Sequence, residues 1–487
     1  MRIAFVTSEM SPFAKTGGLA DVAGALPKAL ADQGHTLKIF MPRYKTVDGT
    51  KYVLSTVIED MDITVEEEVY TATVLSYDDL HSNAQVLFIE NSDFFAREGL
   101  YGDDAGDYAD NDTRFIFFQK AVLETLRRLD FVPDVVHCND WQTSLLPGYL
   151  KNQTKDTFFS GTKSVLTIHN LAYQGLFDAD VFLKTELPYD FFAADGYEFY
   201  GKTNFLKGGI VFADVVTTVS RRYAREIQLK DFGYGLEGVL MNRHDALIGI
   251  VNGIDYSKWD SEQDRDITVN FSSGELDKKY INKGVLQKEN GLTVDRDIPL
   301  IGMVCRLVDQ KGLDIVEPLL EELLSSDVQL VILGTGDKHY HNRLKNFASQ
   351  YPKKLAVNII FDEQMAKRIY AGSDILMMPS LFEPCGLGQL IAYRFSTVPL
   401  VRQTGGLADT VLDFNPERGE GTGFVFCEYK TEALTAAIQK ALACFSDKKT
   451  WKRIIANGSQ LDFSWEKSAQ QYSDVYHSLQ KKSLIAT

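Results

Sequence analysis

The chain has 487 residues, 45% of them apolar, and its 51 basic against 67 acidic side chains leave a net charge of −16. One core does not grow to that size, so two or three domains are expected, and the acidic balance argues against a nucleic-acid binder or a protein held on anionic lipid. Five cysteines without CxxC spacing speak against a disulfide framework or a zinc site, and no apolar run reaches membrane-span length, so the protein is expected to be soluble and cytoplasmic.

In chain order, short β-rich runs alternate with amphipathic helix patterns almost throughout, which predicts parallel α/β sheets. The first run, residues 3–7, is too short for a signal peptide and reads as a strand. It leads into Lys15-Thr16-Gly17-Gly18-Leu19-Ala20-Asp21, and the hexapeptide from Thr16 to Asp21 recurs as Thr404-Gly405-Gly406-Leu407-Ala408-Asp409. Paired glycines let backbone N–H groups approach an anion, and the helix that follows adds unpaired donors and partial positive charge. Each copy is therefore a candidate phosphate loop, although a turn that needs glycine only for steric reasons gives the same pattern. Lys15 is either a diphosphate clamp or a solvated lysine. Asp21 either binds a sugar hydroxyl or favours the helix N-terminus. Pro27 falls inside the first helical pattern, where it kinks the helix or marks its start.

Further strands are expected at 37–41, 85–89, 134–137, 164–168 and 215–219, with 51–77 alternating like antiparallel edge strands. The polar stretch 256–270 has no clear period and puts a domain boundary just before or within it, drawn between 1–247 and 248–461. Strands at 300–304, 328–333, 355–361, 375–378, 398–401 and 423–426 then predict a second doubly wound sheet. A dinucleotide fingerprint is missing. Gly17-Gly18 with Gly24 has the wrong spacing, and Gly334-Thr335-Gly336 is followed by His339 where a third glycine belongs.

Polar groups gather where these strands end. His137-Cys138-Asn139-Asp140-Trp141 and Thr167-Ile168-His169-Asn170 follow buried runs of the first half. Asp140 with Trp141 can hold a sugar by hydrogen bond and stacking, and His169 can donate to a sugar hydroxyl, a satisfied structural histidine being the alternative. In the second half, Arg306 and Lys311 place two cations at a strand end, suited to a doubly charged leaving group. Ser380-Leu381-Phe382-Glu383-Pro384-Cys385-Gly386-Leu387-Gly388 sets Glu383 on a strand-to-helix loop. There it either stabilises positive charge on a sugar carbon or caps the helix, with Cys385, Gly386 and Leu387 supplying N–H groups. The pairs Asp60/Asp62, Asp264/Asp266 and Asp295/Asp297 close no glycine-rich strand end, so no metal is expected.

Together, the Lys15 loop, His137 to Trp141, Thr167 to Asn170, Arg306 with Lys311-Gly312, and Glu383-Pro384-Cys385-Gly386-Leu387 resemble bacterial glycogen synthases and plant starch synthases nearly end to end. Tyr101-Gly102, Asp110-Asn111, Arg114-Phe115 and Val251-Asn252-Gly253-Ile254-Asp255 extend the match. The resemblance implies an α/β GT-B fold, two Rossmann-like doubly wound domains facing a deep cleft, with a C-terminal helix within 462–487 packing back on the first. It also implies a metal-independent, cofactor-free retaining transfer of glucose from ADP-glucose to the non-reducing end of an α-1,4-glucan such as glycogen. The family's roles fall on Lys15, Gly17 and Gly18 near the donor diphosphate, Arg306 and Lys311 on its phosphates, Glu383 and His169 around the glucose, and Asp140 near the acceptor. Asp21, Asn170, Cys385, Gly386, Leu387 and Thr404 complete the nucleotide-sugar side.

Two departures stand out. Gly388 replaces a threonine usual in similar members, which predicts weaker donor binding. Phe205-Leu206-Lys207-Gly208-Gly209 carries a glycine where the family tends to have alanine, with an expected cost in helix propensity alone. A UDP-glucose-using transferase and a catalytically silent glucan-binding paralogue are the alternatives. Pyridoxal-dependent phosphorolysis needs an anchoring lysine that the sequence does not identify.

Overall fold

In the computed structural model, which describes residues 1–78, 83–103, 105–152 and 157–485, the apolar runs of the first half pair into a nine-stranded sheet. Its order is Leu247–Gly249, Val215–Thr218, Lys163–Ile168, Val135–Asn139, Arg2–Val6, Thr36–Pro42, Ala84–Glu90, Glu68–Asp78 and Ser55–Val65. The first seven run parallel, with Ile3 opposite Leu37 on one side and Val135 on the other. The last two are antiparallel, as the alternation over 51–77 predicts. Central strands covered on both faces need unbroken apolar sequence, and Ile3, Ala4, Phe5 and Val6 are all fully buried.

From Arg2–Val6 the chain builds outward through Thr36–Pro42, then returns to lay Val135–Asn139 on the opposite side. That reversal leaves a crevice beyond the carboxyl ends of the two strands. The second half repeats the device in an all-parallel six-stranded sheet, ordered Leu355–Asn358, Gln329–Leu333, Leu300–Val304, Ile375–Met378, Val398–Arg402 and Phe424–Phe426. Here the reversal lies between Leu300–Val304 and Ile375–Met378.

The chain divides into two units, Met1–Gly253 with Trp465–Thr487, and Ile254–Ser464. The division after Gly253 lies beyond the 247/248 boundary drawn from the sequence. Leu247–Gly249 pairs in parallel with Val215–Thr218, and Ser468 Oγ donates to the Val251 carbonyl at 2.8 Å, so both segments stay with the first unit. Residues 462–464 stay with the second, because Ile254 N–H donates to the Phe463 carbonyl and Phe463 N–H to the Tyr256 hydroxyl, each at 2.8 Å.

The C-terminal helix Trp465–Ile485 packs on the first unit, where Trp465, Ala469, Tyr472 and Tyr476 join the core built on Ile3 and Phe5. Two buried histidines tie it down. His35 Nε2 lies 2.8 Å from Ser473 Oγ, and His137 reaches the Tyr476 hydroxyl through Nδ1 at 2.7 Å and Thr167 Oγ1 through Nε2 at 2.6 Å. Burial lowers the His137 pKa to about 3, so the ring is neutral and both nitrogens are satisfied inside the protein. It is a structural residue.

Pro27 sits within helix Gly18–Asp32 and does not start it; it is buried against the core and takes no part in the helix's N–H ladder. Gly208 carries more than a propensity cost. A Cβ there would run into the Tyr197 ring, which is fully buried and stacks on Phe212.

Tyr476→Phe removes the partner of His137 Nδ1 without changing packing volume. An unsatisfied buried polar group costs about 1–3 kcal/mol, and equilibrium urea unfolding is expected to show a loss of that size.

Candidate active site

Beyond strand Arg2–Val6 the chain passes through Thr7, Ser8 and Glu9 before the first glycine loop. Glu9 is buried, and its carboxylate accepts from Thr16 N–H at 2.6 Å, Thr16 Oγ1 at 2.5 Å, Gly17 N–H at 3.2 Å and the Tyr101 hydroxyl at 2.8 Å. Two N–H groups of the supposed phosphate loop thus already face an anion supplied by the chain. Lys15 is likewise paired, its Nζ 2.7 Å from Asp21 Oδ1. What the loop still offers is Gly18, exposed at the start of a fifteen-residue helix that has no side-chain cap. Sequence reasoning missed Glu9. The available signal was a lone carboxylate three residues past the sheet's middle strand.

Across the reversal, Asp140 follows Val135–Asn139 with φ of +55°, a left-handed conformation uncommon for a residue with a side chain. Its Oδ1 accepts His169 N–H at 2.7 Å. Burial raises the Asp140 pKa to about 7, against the opposing pull of the His169 and Asn170 N–H groups. This joins Asp140, His169 and Asn170 at one strand end, with the Glu9 charge near enough to act on Asp140.

The proton on His169 can be assigned from its partners. Asn139 Nδ2 donates to the Val6 carbonyl at 2.9 Å, so Asn139 Oδ1 faces His169 Nε2, 2.9 Å away. Nε2 therefore carries the hydrogen, and burial lowers the pKa to about 3, keeping the ring neutral. Nδ1 is left as the acceptor. His169 can receive a hydrogen bond from a sugar hydroxyl rather than donate one, which reverses the sequence expectation. Trp141 is no sugar platform either: it is buried, with ring centroids of Phe115 and Phe177 at 5.0 and 5.7 Å.

In the second unit, Leu300–Val304 ends in Cys305 and exposed Arg306, and the short turn Asp309–Lys311 follows. Lys311 Nζ lies 2.6 Å from Glu383 Oε2, which also accepts from Ser380 Oγ at 2.9 Å. Glu383 is only 6% exposed, so lysine and hydroxyl fix one oxygen while the other keeps its acceptor capacity. Burial raises the neighbouring Cys305 thiol to about 12, which makes it inert as a nucleophile at neutral pH.

The second Thr-Gly-Gly copy supports Glu383 from behind. Gly406 N–H donates to the carbonyls of Glu383 and Pro384, both at 3.1 Å. A Cβ on Gly405 would strike the Glu383 carbonyl oxygen, and one on Gly406 the Cys385 carbonyl oxygen. Glycine is needed here for backbone-to-backbone approach, and Thr404 is buried. The same loop holds buried Cys385, then Gly386 and Leu387, with Gln389 Nε2 bonding the Cys385 and Gly386 carbonyls at 3.1 and 2.9 Å. A Cβ on Gly388 would sit 3.2 Å from Met378 Sδ and 3.3 Å from the Tyr370 hydroxyl. These two side chains already crowd the space a threonine would take.

The sequence-derived residues thus form two groups. Lys15, Gly17, Gly18, Asp21, Asp140, His169 and Asn170 lie at the first sheet's reversal, and Arg306, Lys311, Glu383, Cys385, Gly386, Leu387 and Thr404 at the second's.

Residues 2–242 match the family model described as the starch synthase catalytic domain, and residues 287–460 match glycosyl transferases group 1. The chain is 46% identical to a glycogen synthase of Geotalea daltonii over 480 residues, covering 98% of each chain. It is equally identical to a glycogen synthase of Thermosipho melanesiensis, covering 99% of this chain and 100% of that one. Among solved structures, the catalytic domain of starch synthase IV from Arabidopsis thaliana, bound to ADP and acarbose, superposes with a TM-score of 0.90 at 30% identity, covering 98% and 99% of the two chains.

Two measurements probe this geometry. Gly406→Ala overpacks the contact behind Glu383, and urea unfolding is expected to show a loss of about 1–3 kcal/mol. Asp140, with its pKa raised from 3.8 to about 7, binds a proton in the folded protein that the unfolded chain releases. Its contribution to stability therefore falls as pH rises between those values. In urea titrations across that window, Asp140→Asn is expected to gain stability relative to wild type as pH rises, the difference levelling off above it.

Proposed function

From a chain that belongs to the glycogen synthase and starch synthase family, hexosyltransferases of the GT-B fold, we propose the specific reaction: retaining transfer of glucose from ADP-glucose to the non-reducing end of an α-1,4-glucan. The observation that carries this reading is the buried Glu383 carboxylate, beyond strand Ile375–Met378, held by Ser380 and by Lys311 from beyond the adjacent strand Leu300–Val304, whose end also bears Arg306. An ADP-bound neighbour supports an adenine nucleotide as donor, and relatives that are glycogen synthases support a glucan acceptor.

In this reading the second unit takes the donor. As the bond between glucose C1 and the phosphate oxygen stretches, negative charge grows on the diphosphate and positive charge on C1. Arg306 and Lys311 stabilise the first and Glu383 the second. Lys311 already holds Glu383 at 2.6 Å, so the diphosphate competes with that carboxylate for the same ammonium. The first unit takes the acceptor, with Asp140 and the bare Nδ1 of His169 receiving sugar hydroxyls.

The acceptor hydroxyl attacks C1 on the face the diphosphate leaves, and its proton passes to the departing phosphate oxygen. A glucosyl adduct trapped on Glu383 would falsify this route. The two cations carry the charge of the leaving group, so the reaction is expected to proceed without a metal or other cofactor.

The test uses purified protein, labelled ADP-glucose or UDP-glucose, a glycogen primer and EDTA, with polymer-bound label as readout. Label from ADP-glucose is expected to survive EDTA, and both Glu383→Ala and Lys311→Ala are expected to lower kcat by about 100-fold or more. Preference for UDP-glucose would overturn the donor assignment. Glucan binding without transfer from either donor would identify a silent paralogue.

A further inference from the structure

None of the roles assigned so far falls on Asn139, the last residue of strand Val135–Asn139, although its side chain is fully buried at the end that carries Asp140. It links three neighbouring strands. Cys138 pairs with Val6 on one side and Asn139 with Thr167 on the other, so the amide reaches the ends of both neighbours. Nδ2 donates to the Val6 carbonyl and Oδ1 receives from His169 Nε2, each at 2.9 Å. The backbone is pinned as well: Thr143 Oγ1 receives the Asn139 N–H at 2.6 Å and lies 2.9 Å from its carbonyl.

A carbonyl can only accept, so the amide cannot turn over without setting two oxygens face to face. Val6, on the strand at the sheet's reversal, thereby dictates which nitrogen of a histidine two strands away carries the hydrogen. The residue type matters too. A carboxylate would accept from Nε2 equally, but it would repel the Val6 carbonyl and supply the negative charge that draws a second proton onto the ring. The amide accepts without charge. Asp140 completes the hold by receiving the His169 N–H at 2.7 Å, so two consecutive residues fix the ring and the backbone of the same histidine.

We propose that Asn139 is a positioning residue that sets the hydrogen-bond polarity of the acceptor site: it keeps His169 Nδ1 bare, so the site selects a sugar hydroxyl that donates to it. This rests on the acceptor reading above and deepens it with a residue that touches no sugar. A purely structural Asn139 would tie the strands together and have no hold on the ring's hydrogen.

The test is nitrogen NMR of the full chain with isotopically labelled histidine, in which protonated and bare ring nitrogens resonate far apart; His169→Gln identifies the signals. Wild type is expected to carry the hydrogen on Nε2. Asn139→Leu keeps the volume and removes the acceptor, so the hydrogen is expected on Nδ1, with KM for the glycogen primer raised about tenfold and KM for ADP-glucose unchanged. Thr143→Val loosens the same backbone and is expected to leave the hydrogen on Nε2. Thermal unfolding run in parallel shows which variants are folded, and Asn139→Ala, a smaller replacement with the same expected shift, stands in for a leucine variant that does not fold. A hydrogen on Nδ1 of wild type overturns the proposal whatever the variants do. So does a hydrogen kept on Nε2 in the folded Asn139 variants, or one that moves without any change in KM for the primer. Transfer from neither nucleotide sugar by wild type would remove the synthase reading alone, because spectra recorded without substrate still read Asn139's hold on the ring.

Discussion

Each of the two sheets is wound in both directions from a middle strand, and a parallel sheet so wound cannot cover the carboxyl ends where its connections part. The rest of the chemistry follows from that gap. In the first unit it falls between Arg2–Val6 and Val135–Asn139, in the second between Leu300–Val304 and Ile375–Met378. Buried apolar strands fix these points rigidly, so the polar residues just beyond them inherit positions they could not hold on a free loop. Glu9, Asp140, Arg306 and Glu383 all stand within a few residues of such an end.

Charge at both places is compensated from within. Lys15 is matched by Asp21 and Lys311 by Glu383, while Glu9 is matched by N–H and hydroxyl donors. Buried or half-buried ions without partners are costly, so a site that handles a multiply charged ligand needs such internal matching to be stable in its absence. In the proposed reading, a donor diphosphate on the second unit would compete with Glu383 for the Lys311 ammonium. The electrostatic work of binding is then an exchange of partners, smaller than the gain of a bare cation meeting a bare anion.

The strands were readable because alternation, apolar runs and glycine punctuation are local. The strand Leu300–Val304 falls where the sequence puts it, and the edge over 51–77 is antiparallel as expected. What could not be read was the destination of each donor. Both Thr-Gly-Gly copies have the composition of an anion cradle, yet the first gives N–H groups to Glu9, and the second packs its backbone on Glu383 to Cys385. The proton position on His169 depends on Val6 and Asn139, more than a hundred residues apart in sequence. Trp141 is polar-flanked in sequence but faces Phe115 and Phe177, which no window around it contains. Tertiary hydrogen bonding decides such matters, and pattern does not carry it.

The first unit is completed by its own last helix, after the chain has passed through the whole of the second. On a ribosome the nine-stranded sheet therefore emerges with one flank of its core uncovered, and His35 and His137 wait for Ser473 and Tyr476 to be made. The intervening 211 residues can close on themselves meanwhile, because Ile254 to Ser464 is a contiguous stretch. The order of completion is thus inverted relative to the order of synthesis, and the earliest-translated half is the last to be sealed.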